Sequence, residues 1–206
     1  LKQSRVWIHL SLLLMVIAVL IWSLIKPDNY MIWSAEAIPA LVILAIAIFK
    51  YKSFRLTTMS YLIIAILSIT MFIGAHYTYS KVPLFNWIKD YFDLERNHYD
   101  RLGHFLKGLS VIIIREIILR TTPMSKGKWL ITFILSISLA ISAIYELIEW
   151  LAAVLAKGRK VSADFLGTQG DKWDAQWDMA LTFIGSIIAL LLLSKLHDKL
   201  LKKERI

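Results

Sequence analysis

The chain has 206 residues, 58% of them hydrophobic, with a mean hydropathy of +0.62 and a formal net charge of +9. Its apolar residues fall in long blocks rather than in short amphipathic patterns, which excludes a soluble globular domain and places the chain in a bilayer. Cysteine is absent, so disulfides and thiolate metal sites are excluded as well.

Six blocks reach the roughly 20 residues that a spanning helix needs: residues 7–25, 31–49, 57–75, 102–119, 129–156 and 177–196. The expected fold is therefore all-α, an integral membrane protein with a bundle of six transmembrane helices. The connections are too short to hold a soluble domain, so residues 1–206 read as a single membrane domain. The first block follows Lys2 and Arg5 as a signal peptide would, but it is too long for an h-region and no small-residue cleavage site follows. It is expected to remain as a helix.

Charge sets the expected orientation. If the N-terminus is cytoplasmic, the inner segments carry Lys2, Arg5, Lys50, Lys52, Arg55, Arg120, Lys126, Lys128 and the basic residues after Lys195, against only Asp198 and Glu204. Basic loops stay inside, so both termini are expected in the cytoplasm. The positive charge is then a topology signal and an attraction to anionic lipid, and nucleic acid is not an expected partner.

Along the chain, the second outer connection places Leu84, Trp87, Ile88, Tyr91 and Glu95 at helical spacing after Pro83, which predicts a short amphipathic helix lying in the outer interface. Ionisable residues inside spans are costly and have to be paired, wet or functional. Here they gather at one level. Glu36 lies in the outer half of the second block, His76 ends the third, and Asp100, Arg101 and His104 begin the fourth. Glu146 and Glu149 end the fifth, and Asp171, Asp174 and Asp178 begin the sixth. At about 100° per residue, His104, Lys107 and Arg115 share a stripe, and Ser142, Glu146 and Glu149 stack at i, i+4 and i+7. Three helices thus turn oxygen or nitrogen ligands toward a common interior.

Imidazole and carboxylate without thiolate suit a divalent cation, with the carboxylate excess favouring harder ions. The expected metal ligands are His104, Glu146, Glu149, Asp174 and Asp178; the expected catalytic groups are Asp100, His104 and Glu149; and Arg101, Lys107 and Gln169 are expected to bind substrate, with Arg159 as a further phosphate contact. The bland reading of these residues is capping for Asp171 and Asp174 and a salt bridge to Lys107 or Arg101 for the two glutamates. His9, His76 and His197 are expected to be hydrogen-bonded structural residues. Glu116 is expected to pair with Arg120 at i, i+4, leaving Arg115 to find a partner on another helix.

The segments HYDRLGHFLKG (residues 98–108), REI (115–117), YELIEW (145–150) and DFLGTQGDKWDAQWDM (164–179) resemble the YjdF-type family of bacterial inner-membrane proteins, across all six blocks. More loosely, the order Asp-Arg-x-x-His, late acids and an aspartate-marked last helix is similar to VanZ-like envelope proteins, although Glu149 is followed here by Trp150. The resemblance implies a bacterial plasma membrane and a site at these motifs, without a reaction. The leading expectation is an outward-facing His/Asp/Glu site with a divalent metal, acting as a hydrolase or transferase on a lipid or cell-envelope precursor. The alternatives are an ion-coupled transporter, for which Glu36-x-x-Pro39 is the one hint of a broken helix, and a structural or assembly protein.

Overall fold

The structure, a computed structural model, describes residues 2–155 and 168–204. Among these residues it is all-helical: α1 (Lys2–Ser23), α2 (Tyr30–Lys50), α3 (Thr58–Tyr77), α4 (Pro83–Tyr91), α5 (Tyr99–Lys107), α6 (Val111–Thr121), α7 (Lys128–Leu155) and α8 (Asp174–Lys203), with 3-10 turns at Tyr79–Lys81 and Gly108–Ser110. Five of them, α1, α2, α3, α7 and α8, are long and apolar enough to cross a membrane. In a bilayer each helix satisfies its own backbone, which is why long apolar runs of these residues adopt this form.

α3 is the central rod. On one side Ala65 and Phe72 pack with Val16 of α1 and Trp33, Ala37 and Ala40 of α2. On the other, Met59, Ile63 and Leu67 pack with Val111 and Ile112 of α6, Leu130 and Ile134 of α7 and Ala189 of α8. Side chains such as Leu14, Ile46, Ile144 and Leu191 point away from these cores and are exposed, as lipid-facing positions are. Asn29 caps α2, its side-chain oxygen accepting from the amides of Met31 and Ile32. α2 then runs unbroken through Pro39, so the break expected from Glu36-x-x-Pro39 does not occur there.

The break lies in the fourth helical run, residues 99–121, where α5 and α6 are joined by the 3-10 turn at Gly108–Ser110. The Gly108 amide turns back to Phe105 and Leu106, which leaves the His104 carbonyl without its α-helical partner. The hydroxyl of Thr182 on α8 donates to that carbonyl at 3.0 Å, and Ser186 donates to the Gly108 carbonyl at 3.3 Å. A hydroxyl from a neighbouring helix thus replaces the backbone bond lost at His104. The ladder extends to α7, where Ser138 meets Ser186 at 2.8 Å and Ser142 donates to Thr182 at 3.3 Å. The break also corrects the single stripe expected for His104, Lys107 and Arg115: Arg115 faces the opposite end of the bundle, toward His197 and Asp198.

Two glycines permit this contact. A Cβ on Gly108 would sit 2.5 Å from the Ser186 nitrogen and 2.7 Å from the Thr182 oxygen, and one on Gly185 would overlap the Phe105 carbonyl. Helix propensity alone would make Gly185→Ala stabilising by about 1 kcal/mol. The overlap is with backbone, which cannot swing aside, so we expect a net loss of about 1–3 kcal/mol. A lowered thermal midpoint in detergent, beside an unchanged one for Gly127→Ala, where a Cβ meets nothing within 4 Å, is the check.

α4 begins with Pro83 at its first turn and leaves Leu84, Trp87 and Tyr91 exposed on one face, with Trp87 and Tyr91 stacked at 5.5 Å. This is the amphipathic helix expected after Pro83, ending before Glu95.

Candidate functional site

The close contact of α5 with α8 brings Asp100 and His104 opposite Asp178. One ligand atom from each lies within 4.8 Å of the others, and His104 and Asp178 are 1% and 2% exposed. His104 Nε2 is 3.7 Å from Asp100 Oδ1 and 3.6 Å from Glu146 Oε1 of α7. Lys107, one turn below His104, lays its ammonium 2.9 Å from that Nε2 and 3.8 Å above the ring of Tyr145. Glu149 and Asp178 both lie within electrostatic reach of Asp100, Glu146 and Lys107, and Glu36 of α2 within reach of Asp100 and Lys107.

What sets this cluster apart is incomplete satisfaction. Glu36 Oε2, Tyr79 Oη, His104 Nδ1, Glu146 Oε1 and Asp178 Oδ1 are all inaccessible and have no hydrogen-bond partner among the described residues. A buried polar group left unpaired costs about 1–3 kcal/mol. Five such groups, contributed by separate elements, meet in one region.

The other predicted residues are spent on structure. Asp171 precedes α8 instead of lying on it; its side chain accepts from the Trp173 amide at 2.9 Å and from Arg101 at 2.6 Å. Asp174, the first residue of α8, pairs with Arg96. Gln169 has φ +46°, a left-handed conformation unusual without glycine. Its amide closes a two-way clamp on the Asn97 backbone, accepting at 2.8 Å and donating at 2.9 Å. Of the three side chains expected to bind substrate, Lys107 is the one beside His104, Glu146 and Glu149, while Arg101 is engaged by Asp171. Arg159 lies outside the described residues, as does the end of the fifth predicted span at residue 156.

Residues 8–199 match the family described as "Predicted membrane protein (DUF2238)". The chain belongs to this family. It is 36% identical over 186 residues to the inner membrane protein YjdF of Escherichia coli (strain K12), which covers 90% of this chain and 88% of that protein. No solved structure matches. With its long apolar helices, this DUF2238 member is a multi-pass protein of the bacterial inner membrane.

In this DUF2238 chain a second charged layer sits at the opposite end of the bundle, and its chemistry differs. Asp178 and His197 are separated along α8 by about 28 Å at ~1.5 Å per residue, close to the thickness of a hydrocarbon core. Glu116, fully buried, accepts from the Thr57 amide at 2.9 Å and from the hydroxyls of Thr57 and Ser60 at 2.8 and 2.6 Å. Arg120 donates to it at 2.7 Å, the expected i, i+4 pair. Arg115 finds His197 Nδ1 at 2.8 Å and Asp198 at 2.7 Å. Because the guanidinium donates to Nδ1, the imidazole proton sits on Nε2, 3.4 Å from Glu116. His9 bonds Tyr51 and Thr58, and His76 the Ser23 carbonyl, so these three histidines are structural.

Sequence reasoning missed Arg96 and Asn97. Both lie in an apparently irregular connection, yet they are 6% and 1% exposed. Asn97 donates to the Val82 carbonyl and to Asn86, and accepts from the Tyr99 amide, tying α4 to α5. The available signal was the pair of cations, Arg96 and Arg101, five residues apart facing three aspartates. Replacing Arg96 by Met would leave Asp174 buried beside Asp171 with its main counter-charge gone, for an expected loss of about 3–5 kcal/mol. Asp174→Asn in the same chain should recover part of it, a coupling that denaturant unfolding of the two single variants and the double variant would measure.

His98, immediately before α5, lies outside the spans, and burial followed by the charges of Arg101 and Arg96 holds its pKa below the ordinary 6.5. The folded state therefore favours neutral imidazole. That contribution to stability is complete above pH 6.5 and is lost as the pH falls through the depressed value. Ring NMR should give a midpoint below 6.5, and His98→Asn should flatten this part of the stability profile.

Proposed function

We propose that the protein crosses the inner membrane six times, with residues 99–121 as the fourth crossing and both termini in the cytoplasm. At ~1.5 Å per residue that run measures about 33 Å, enough to span despite its 3-10 turn. The orientation rests on the excess of lysine and arginine at the end that carries the N-terminus, the α2–α3 and α6–α7 connections and the C-terminal end of α8. The cluster around His104 then faces outward.

We further propose that this cluster binds a divalent metal through Asp100, His104 and Asp178, with Glu146 and Glu149 adjoining. The observation that carries the reading is the convergence of those three ligand atoms within 4.8 Å, with Asp178 Oδ1 buried and without a hydrogen-bond partner among the described residues. Electrostatics points the same way: Asp100, Glu146, Glu149 and Asp178 surround a single ammonium, that of Lys107, and a divalent cation offsets the surplus. A mixed imidazole and carboxylate set is compatible with Mn²⁺, Zn²⁺ or Mg²⁺. A bound metal would supply an activated water nucleophile. In that chemistry Glu149 would accept the proton and Lys107 would contact a phosphate, which suits a hydrolase or transferase acting on a lipid-linked or envelope precursor reaching the site from the outer leaflet.

A transport role has one observation in its favour, the broken fourth helix, since broken helices frame many carrier sites. Against it, Val111, Ile112, Leu130, Ile134 and Ala189 form a dry layer, each at most 2% exposed, between the two charged ends. A purely structural role leaves the five unpartnered groups without an occupant.

Divalent cations titrated onto the purified protein should raise its stability, by about 2.7 kcal/mol at a hundredfold excess over Kd. Asp178→Asn and His104→Ala should abolish that rise. Absence of metal by elemental analysis, together with no thermal response to Mg²⁺, Ca²⁺, Mn²⁺ or Zn²⁺, would end the metal reading.

A further inference from the structure

At the opposite end of the bundle, a cavity of about 550 Å³ opens between the α2–α3 connection, α6 and the C-terminal part of α8. Its charged lining divides cleanly into groups that are paired and groups that are not. Each acid in it is already occupied. Glu116 takes the donors described above, Asp198 is held by Arg115 at 2.7 Å and Lys126 at 2.8 Å, and Glu204 accepts from the Thr58 amide at 3.0 Å and faces Arg5 at 3.7 Å. The cations outnumber them. Arg55 and Lys202 line the same cavity, and neither forms an ion pair with a described residue; Arg55 Nε is inaccessible and unpartnered.

The arginines are also held in place. The Arg55 guanidinium lies 4.5 Å over the Tyr51 ring, and that of Arg120 lies 4.0 Å over Phe54 while donating to the Arg55 carbonyl at 2.6 Å. Stacking on aromatic faces fixes the plane of a guanidinium and leaves its edge donors free, the arrangement suited to a tetrahedral oxyanion. From this we infer that the cavity binds a phosphate group, with Arg55 as the planar donor and Lys202 as the mobile counter-charge. The cavity is larger than the anion, so the phosphate is a substituent of something bigger, and the apolar rim of Leu56, Leu119 and Leu201 admits either a lipid headgroup or a phosphorylated solute. The inference is independent of the metal reading, which concerns the other end of the molecule.

A basic face is expected at a cytoplasmic boundary whether or not a site exists there. The test therefore needs a control lysine on the same face. Lys199 is exposed on α8 and is absent from the cavity wall. Purified full-length protein would be tested in two arms: inorganic phosphate against chloride at equal ionic strength, read as a thermal shift, and mixed phosphatidylglycerol and phosphatidylcholine vesicles, read as retained lipid by native mass spectrometry. We expect a response in at least one arm. Arg55→Gln or Lys202→Gln should weaken it about tenfold, Arg55→Lys by less, and Lys199→Gln not at all. A response to free phosphate assigns a solute, and one confined to phosphatidylglycerol assigns a headgroup. Because Lys202 makes no ion pair with a described residue, its variant keeps the test valid if Arg55→Gln does not fold. Indifference in both arms, or equal weakening by Lys199→Gln, would overturn the inference.

Discussion

Where Gly108 of the fourth helical run meets Gly185 of α8, two backbones touch with no side chain between them, and the position of nearly everything polar follows from that contact. It holds His104 one turn above the crossing and brings it opposite Asp178. The run is also broken at this contact, into α5 and α6, by the 3-10 turn at Gly108–Ser110. Thr182, one turn before Gly185 on α8, supplies the donor missing at the His104 carbonyl, so the helix that makes the contact also offsets its cost. Without the break, Arg115 would share a stripe with His104. With it, the two are directed to opposite ends of the molecule.

The result is a bundle with two charged layers of opposite character. The layer around Glu116 is closed: a fully buried carboxylate meets backbone, hydroxyl, guanidinium and imidazole donors, and the carboxylates of Glu116 and Glu204 take the amides at the N-terminus of α3, where the helix dipole favours negative charge. Such a network fixes how α3, α6 and α8 meet. The layer around His104 is open. It has five carboxylates, one ammonium and several buried atoms with no partner among the described residues. The layer around Glu116 is rich in cations and the layer around His104 in acids, and among the described residues the first alone is supplied with hydroxyl and amide donors from neighbouring elements.

This difference explains what the sequence could and could not disclose. Spans were legible because burial in lipid demands long apolar blocks, and the Glu116–Arg120 pair because i, i+4 geometry is local. The level at which Asp100, His104, Glu146 and Asp178 gather was legible from helix rise alone. The roles of Arg96, Asn97 and Gln169 were not, since each acts through a loop whose path depends on tertiary contacts. Asp174 read as a ligand because its counter-ion, Arg96, is 78 positions earlier in the chain. The break was looked for at Pro39, where a missing amide makes the usual signal. It occurs instead at a glycine, where another helix approaches closely.

Lys107 is the residue on which the open layer turns. An ammonium beside His104 Nε2 and over the Tyr145 ring is within reach of five carboxylates, those of Glu36, Asp100, Glu146, Glu149 and Asp178, so it lowers their mutual repulsion. It also occupies space near the imidazole nitrogen that a metal would use. A lysine is flexible enough to yield that space, since four rotatable bonds let its head group move while its stem stays packed. Under the proposed metal reading, the same residue would hold the layer together in the absence of the cation and would be free to turn toward an anionic substrate in its presence. An arginine at this position, planar and slow to give up a paired geometry, would serve the first purpose and obstruct the second.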